Sequence, residues 1–222
     1  MAIPQITVEI RWFFPETVSV AGLKDWFLHN PRLGPALTEQ QGETREDLYL
    51  LTPGNTRIGP KLRGGRFEIK VRQNPQEIID LNGSVSGKAE IWHKWKWPYA
   101  RAKKDRKIND LVVSSFLART SEKLRATVWK KRWQRKFKVD HPGELTPVPM
   151  GQKGLSCWIS AEFTGIKIKG TPWWTLALEI YGTSEEPFTF LRECLHWFLR
   201  DYAGPSLTVA NSYSYPEWLA LL

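Results

Sequence analysis

Basic residues recur at every second position in several segments of this chain. The clearest is residues 125–139, RATVWKKRWQRKFKV, where Lys130, Arg132, Gln134, Lys136 and Lys138 share one parity. Trp129, Trp133, Phe137 and Val139 take the other, with Lys131 and Arg135 among them. Lys61 and Arg63 share a parity in IGPKLR, and Glu68, Lys70 and Arg72 share one in FEIKVR. Successive strand residues point to opposite faces, so each run places its cations on one side of a sheet. Such a face binds anions. If the sheet stays open, water solvates the cations and the pattern carries no function. If it closes into a barrel, they crowd the interior and repel unless an anion fills the space, because buried charge is costly unless paired. Both readings fit the pattern.

The elements that would carry these residues are mostly strands. Residues 5–14 alternate, with Ile6, Val8, Ile10 and Trp12 opposite Thr7, Glu9 and Arg11. Residues 46–52 form a short apolar run before a Pro-Gly-Asn turn. IGPKLRGGRFEIKVRQ reads as a hairpin around Gly64-Gly65. Residues 87–97 put Glu90, Trp92, Lys94 and Lys96 at one parity, and 155–168 and 173–181 add two strands. That makes about eight, mostly consecutive. Helices are expected at 104–122 and at 187–202, the second opened by Pro187 after Ser184 and Glu185. The Pro/Gly-rich stretch 142–154 reads as a loop. Strands flank it, so residues 1–222 are taken as one domain.

Composition narrows the classes. The chain has 222 residues, 32 Lys+Arg against 23 Asp+Glu, a formal charge of +9 and twelve tryptophans. Apolar content of 41% supports a packed core and excludes a disordered chain. A basic balance favours nucleic acid, acidic lipid or phosphorylated small molecules as partners. Two cysteines exclude a multi-cysteine zinc site and suit a reducing compartment. No apolar run reaches the roughly 20 residues of a membrane helix, and the first residues do not read as a signal peptide. The expectation is a cytoplasmic protein with no membrane partner. The four histidines show no ligand spacing. GSVSGKA (83–89) lacks the glycine spacing and the hydroxyl of a phosphate loop.

The order of these segments resembles the CYTH family, the triphosphate tunnel metalloenzymes. The family opens with E-x-E-x-K; here T-V-E-I-R offers Thr7, Glu9 and Arg11. Asp47-Leu48-Tyr49 matches its next element, Lys61-Leu62-Arg63 its basic strand, and Lys70 the lysine that follows. Lys130-Lys131-Arg132 matches its K-x-R. Ala177-Leu178-Glu179 keeps only the second acid of its E-x-E. Ser214-Tyr215-Pro216-Glu217-Trp218-Leu219 is similar to its closing S-Y-x-x-L. The resemblance implies an α+β fold: an eight-stranded antiparallel β-barrel, a tunnel, with flanking helices.

It also implies a function. The tunnel would bind tripolyphosphate or an organic triphosphate, such as a nucleoside or thiamine triphosphate, and hydrolyse it with Mg²⁺ or Mn²⁺. Arg11, Lys61, Arg63, Lys70, Arg72, Lys130 and Arg132 would hold phosphate, Arg as a planar bidentate fork. Glu9 and Glu179, with Glu162 as a substitute, would hold the metal, which uses one or two carboxylates plus substrate phosphates. Glu9 and Arg132 are the expected catalytic residues. Thr7 and Ala177 stand where acids are expected, so the cationic half is better kept than the acidic half. The alternative is a binding module for polyphosphate or nucleotide without hydrolysis. A third reading is single-stranded nucleic-acid binding, since Trp92, Trp95, Trp97, Trp129 and Trp133 interleave with basic residues. Within a barrel, these tryptophans are expected to pack against helices outside it.

Overall fold

The computed structural model describes residues 3–81, 83–99, 106–141, 143–182 and 186–222. Nine strands form one antiparallel sheet: β1 (Gln5–Pro15), β2 (Glu43–Leu50), β3 (Ile58–Arg63), β4 (Arg66–Leu81), β5 (Val85–Pro98), β6 (Arg125–His141), β7 (Glu144–Val148), β8 (Trp158–Ile168) and β9 (Thr171–Tyr181). Their spatial order is β2-β3-β4-β5-β1-β9-β8-β6, and β6 pairs back to β2. Eight strands therefore close a barrel with no free edge. Four helices accompany it: α1 (Ala21–His29), α2 (Arg106–Arg119), α3 (Pro187–Phe198) and α4 (Tyr215–Ala220). None of the described helices is long and apolar enough to cross a membrane.

Strand alternation sorts the residues as expected. Val8, Ile10, Trp12 and Phe14 of β1 face outward and join the outward residues of β9, β8 and β6 under α1 and α3. This is the main core. The other parity faces the barrel interior and carries the charge. Near one end the interior turns apolar: Phe13, Val128, Ile166 and Ile168 meet Trp218 and Leu219 of α4. Trp218 stacks on Phe13 with ring centres 4.7 Å apart. Helix α4 thus closes this end. Ser214 caps it, accepting from the Glu217 amide while the Glu217 carboxylate accepts from the Ser214 amide, a capping box. Gly59 makes room: a Cβ there would sit 3.0 Å from Pro216.

Several sequence expectations change. The 142–154 stretch holds β7, which extends along the edge of β6 beyond the point where β2 leaves it. Pro147 is tolerated there because β7 is an edge strand. Helix α1 had no readable start: Val20 precedes it and offers no capping side chain. Helix α3 ends at Phe198, four residues before the expected Tyr202. Residues 104 and 105 of the expected helix 104–122, with Ser184 and Glu185, lie outside the described residues. The tryptophans also divide differently. Trp133 packs in the outer core, but Trp92 faces inward and Trp97 and Trp129 are each 42% exposed. Trp133 belongs to the outer core under α1 and α3, whereas Trp97 and Trp129 lie outside that core.

Arg135 fastens that side. It faces outward from β6, is 5% exposed, and donates to the carbonyls of Phe27, Leu28, Leu33 and Pro35 at 2.8–3.0 Å. Two of these are orphan carbonyls at the end of α1, which a cation satisfies well. Arg135→Met removes a donor from all four carbonyls, of which Leu28 keeps the Leu37 N–H at 2.8 Å. The expected loss is about 2–3 kcal/mol, read as a lower urea midpoint at unchanged slope.

Candidate functional site

The barrel interior encloses a cavity of about 160 Å³. A water-sized group needs roughly 10–15 Å³ by the same measure, so the space suits on the order of ten such groups. Nine cations and five carboxylates line it among the described residues. A sixth carboxylate, Asp47, lies behind the lining with 0% exposure. The formal excess, with every lysine counted as charged, is three positive charges inside a closed wall.

Depth follows from the strand register. Arg63 and Lys96 lie towards the ends of β3 and β5 far from α4, beside Trp158 and Met150. Lys61, Lys70, Lys94 and Arg132 occupy the middle levels. Arg11 and Lys130 lie deepest, against Tyr215: the Lys130 Nζ is 3.7 Å from its ring centre and the Arg11 guanidinium 4.9 Å. The cations thus form a ladder along the barrel axis from a mouth to the α4 cap. Six of the seven expected phosphate-binding cations line this ladder: Arg11, Lys61, Arg63, Lys70, Lys130 and Arg132.

Arg72 does not line the cavity. It is bonded to Glu90 at 2.6 Å and to Glu217 of α4 at 2.7 Å. It clasps the cap to the wall instead.

Each acid in the wall is held by cations. Asp47 meets Lys130 at 3.0 Å, Arg45 at 3.1 Å and Lys61 at 3.3 Å. Lys130 also donates to the Tyr49 hydroxyl at 2.8 Å. Glu162 accepts from Arg132 at 2.8 Å, Gln134 at 3.0 Å and Arg11 at 3.3 Å. Arg132 reaches Glu43 with its other nitrogen. Glu9 accepts from Lys70 at 2.6 Å and from the Thr7 hydroxyl at 3.0 Å, and pairs with Lys94 at 2.7 Å. Lys94 pairs with Glu179 as well. Burial pushes Glu9 and Glu162 up, but Lys70 and Lys94 in one case and Arg132 and Arg11 in the other outweigh it, and both carboxyls stay well below their usual range. Burial pushes the ammonium of Lys130 down to about 7, although Asp47 opposes this.

Comparison with protein-family models and with curated proteins returns no match.

The site therefore has to be read from its own residues. Lys94, Lys96 and Arg45 line it beyond the expected set. The first two share the parity of Glu90 and Trp92, so the signal was present in the alternation. Arg45 precedes the expected strand 46–52, because β2 begins at Glu43.

The expected metal ligands fit a metal poorly. Glu9 and Glu179 are direct cross-strand partners, a spacing that suits a shared cation. That cation is already supplied by Lys94. Glu162 is held apart from them by two guanidiniums. No group of three or more His, Cys, Asp or Glu able to hold a metal occurs among the described residues.

Proposed function

We propose that this chain is a divergent member of the CYTH-like tunnels whose barrel binds a short linear polyanion, tripolyphosphate or the triphosphate group of an organic triphosphate. One observation carries the reading: nine cations against six carboxylates, enclosed in a barrel that α4 caps at one end. A buried excess of like charge is unfavourable alone and favourable around an anion. The axial ladder suits a linear chain of phosphates, and Arg11, Arg63 and Arg132 would turn part of their forks from Glu162, Glu68 and Glu43 to phosphate oxygens. A capped barrel suits a chain end more than a threaded nucleic-acid strand. Of the interleaved tryptophans only Trp92 lies among the cavity-lining cations, too few for the run of stacked bases that a strand-binding groove uses.

Binding is the activity these residues support; no hydrolytic step is assigned. Hydrolysis with Mg²⁺ or Mn²⁺ would need Glu9 or Glu179 to leave Lys70 and Lys94.

Trp92 and Trp158 line the cavity and report its contents. Titration with tripolyphosphate is expected to change tryptophan emission saturably, at one ligand per chain, and more weakly at high salt. Arg132→Ala is expected to weaken binding about 10- to 100-fold, the range for losing charge-assisted hydrogen bonds. Phosphate release with either metal is expected to stay at background. No emission change with tripolyphosphate, alongside oligonucleotide binding that tightens with length, would reject the tunnel in favour of a nucleic-acid binder.

A further inference from the structure

Two carboxylates of the wall sit side by side, Glu9 on β1 and Glu179 on β9, in direct register. On the other flank of β1, Glu90 of β5 is also opposite Glu9. Like charges directly opposite on neighbouring strands repel. Such a row needs a cation, and a divalent ion is one way to provide it. Here the chain provides its own. The Lys94 side chain, 6% exposed, rises from β5 and places its ammonium against both Glu9 and Glu179. Lys70, the cross-strand partner of Lys94 on β4, binds the same Glu9 through both carboxylate oxygens at 2.6 and 2.8 Å. Glu90 is taken by Arg72. Two carboxylates face two ammoniums, and the cluster carries no net negative charge to attract a dication. A divalent ion would have to displace Lys94 from between its partners and then sit beside the ammonium that it displaced.

We infer that Lys94 stands where a metal would stand, and that the tunnel takes its anion without a divalent ion. The inference rests on the polyanion-binding reading for its ligand. Its account of Glu9 and Glu179 rests on geometry alone. With Lys94 and Lys70 in place, phosphate oxygens meet ammonium and guanidinium groups directly, and no metal bridge joins them to the carboxylates. The Glu9–Lys94–Glu179 bridge then holds β5, β1 and β9 at a spacing that keeps the cationic ladder aligned.

The test has two arms on the full chain. In the first, Mn²⁺ alone is titrated and followed by the electron paramagnetic resonance signal of the free ion. Wild type is expected to show no binding below millimolar Mn²⁺. Lys94→Gln frees Glu179 and leaves Glu9 to Lys70 alone among the cations, and is expected to bind at least tenfold more tightly, while Lys94→Arg stays like wild type. In the second arm, tripolyphosphate is titrated calorimetrically in EDTA and then with Mg²⁺. The wild-type dissociation constant is expected in EDTA and to tighten less than twofold with Mg²⁺. Tight Mn²⁺ binding by wild type, or tripolyphosphate binding that appears only with Mg²⁺, overturns the inference. If tripolyphosphate binds under neither condition, the polyanion reading fails, and the Mn²⁺ arm still decides the role of Lys94. If Lys94→Gln does not fold, as judged by near-ultraviolet circular dichroism, wild type and Lys94→Arg decide both arms.

Discussion

Asp47→Asn is expected to cost about 3–5 kcal/mol of folding stability, the range for removing one partner of a buried ion pair. Asp47 has 0% exposure and is the common counter-ion of Arg45, Lys61 and Lys130. The Tyr49 hydroxyl donates to it as well, at 3.4 Å. Without the carboxylate, three cations face one another in the wall beside the cap. The amide keeps the shape and loses the charge, so the change isolates electrostatics. Urea unfolding of both proteins at pH 7 measures it, and a difference below 1 kcal/mol would contradict the argument. The pH dependence has a definite sign. Burial raises the Asp47 carboxyl, but Lys130, Lys61 and Arg45 outweigh this and hold it well below its ordinary 3.8. Stability from a depressed acid is fully present above the unfolded value and is lost as pH falls through the folded one. The gap between wild type and Asp47→Asn should therefore be full near pH 5 to 6, where Lys130 is charged in wild type, and shrink on acidification below about 4. Tripolyphosphate should raise the melting temperature of the variant more than that of wild type, because the anion restores the missing negative charge.

Binding at the bottom of the ladder should take up protons. Lys130 is 2% exposed, and burial leaves its ammonium titrating at about 7. Burial also pushes Lys61 well below the usual lysine range, with Asp47 opposing. A polyanion beside them favours the charged forms. Above pH 7, the bound state therefore holds more protons than the free state. Affinity should fall as pH rises from 6 to 9, by up to about tenfold per unit for each coupled proton. Calorimetry at pH 8 in two buffers of different ionisation heat reads the uptake directly. Loss of protons from the ligand itself would give the opposite sign. Lys130→Met should reduce the uptake and flatten the affinity profile between pH 6 and 8. Equal heats in both buffers would remove Lys130 from the bound-state chemistry.

Much of the barrel was legible because strand parity is a local property. One pass along RATVWKKRWQRKFKV separates the residues that became wall from those that became core, and Lys130 and Arg132 could be picked from it. Parity gives a face but not a partner. Nothing local says that Lys94 will arrive between Glu9 and Glu179, since that depends on two strand registers set by closure of the whole sheet. The same limit explains Arg72. Its parity is that of Lys70, yet Glu217, 145 residues away, draws it to the cap. Arg45 was missed for a simpler reason: the apolar run that marks β2 begins after it, and its pairing with β6 is what extends the strand. Trp92 shows the reverse error. A large aromatic suggests packing outside a charged barrel, but its ring lies inside, under Lys70, and its N–H donates to Glu90 at 2.9 Å.

The α4 cap also bears on what the protein can measure. A tube open at both ends grips a long chain anywhere along its length, and so responds to the total amount of polymer. A socket with one mouth admits only a terminus. For phosphate chains of mixed length, its occupancy would follow the number of chain ends and ignore their mass. On the polyanion reading, cleaving one long chain into many short ones, with no change in total phosphate, would then raise occupancy with each new end.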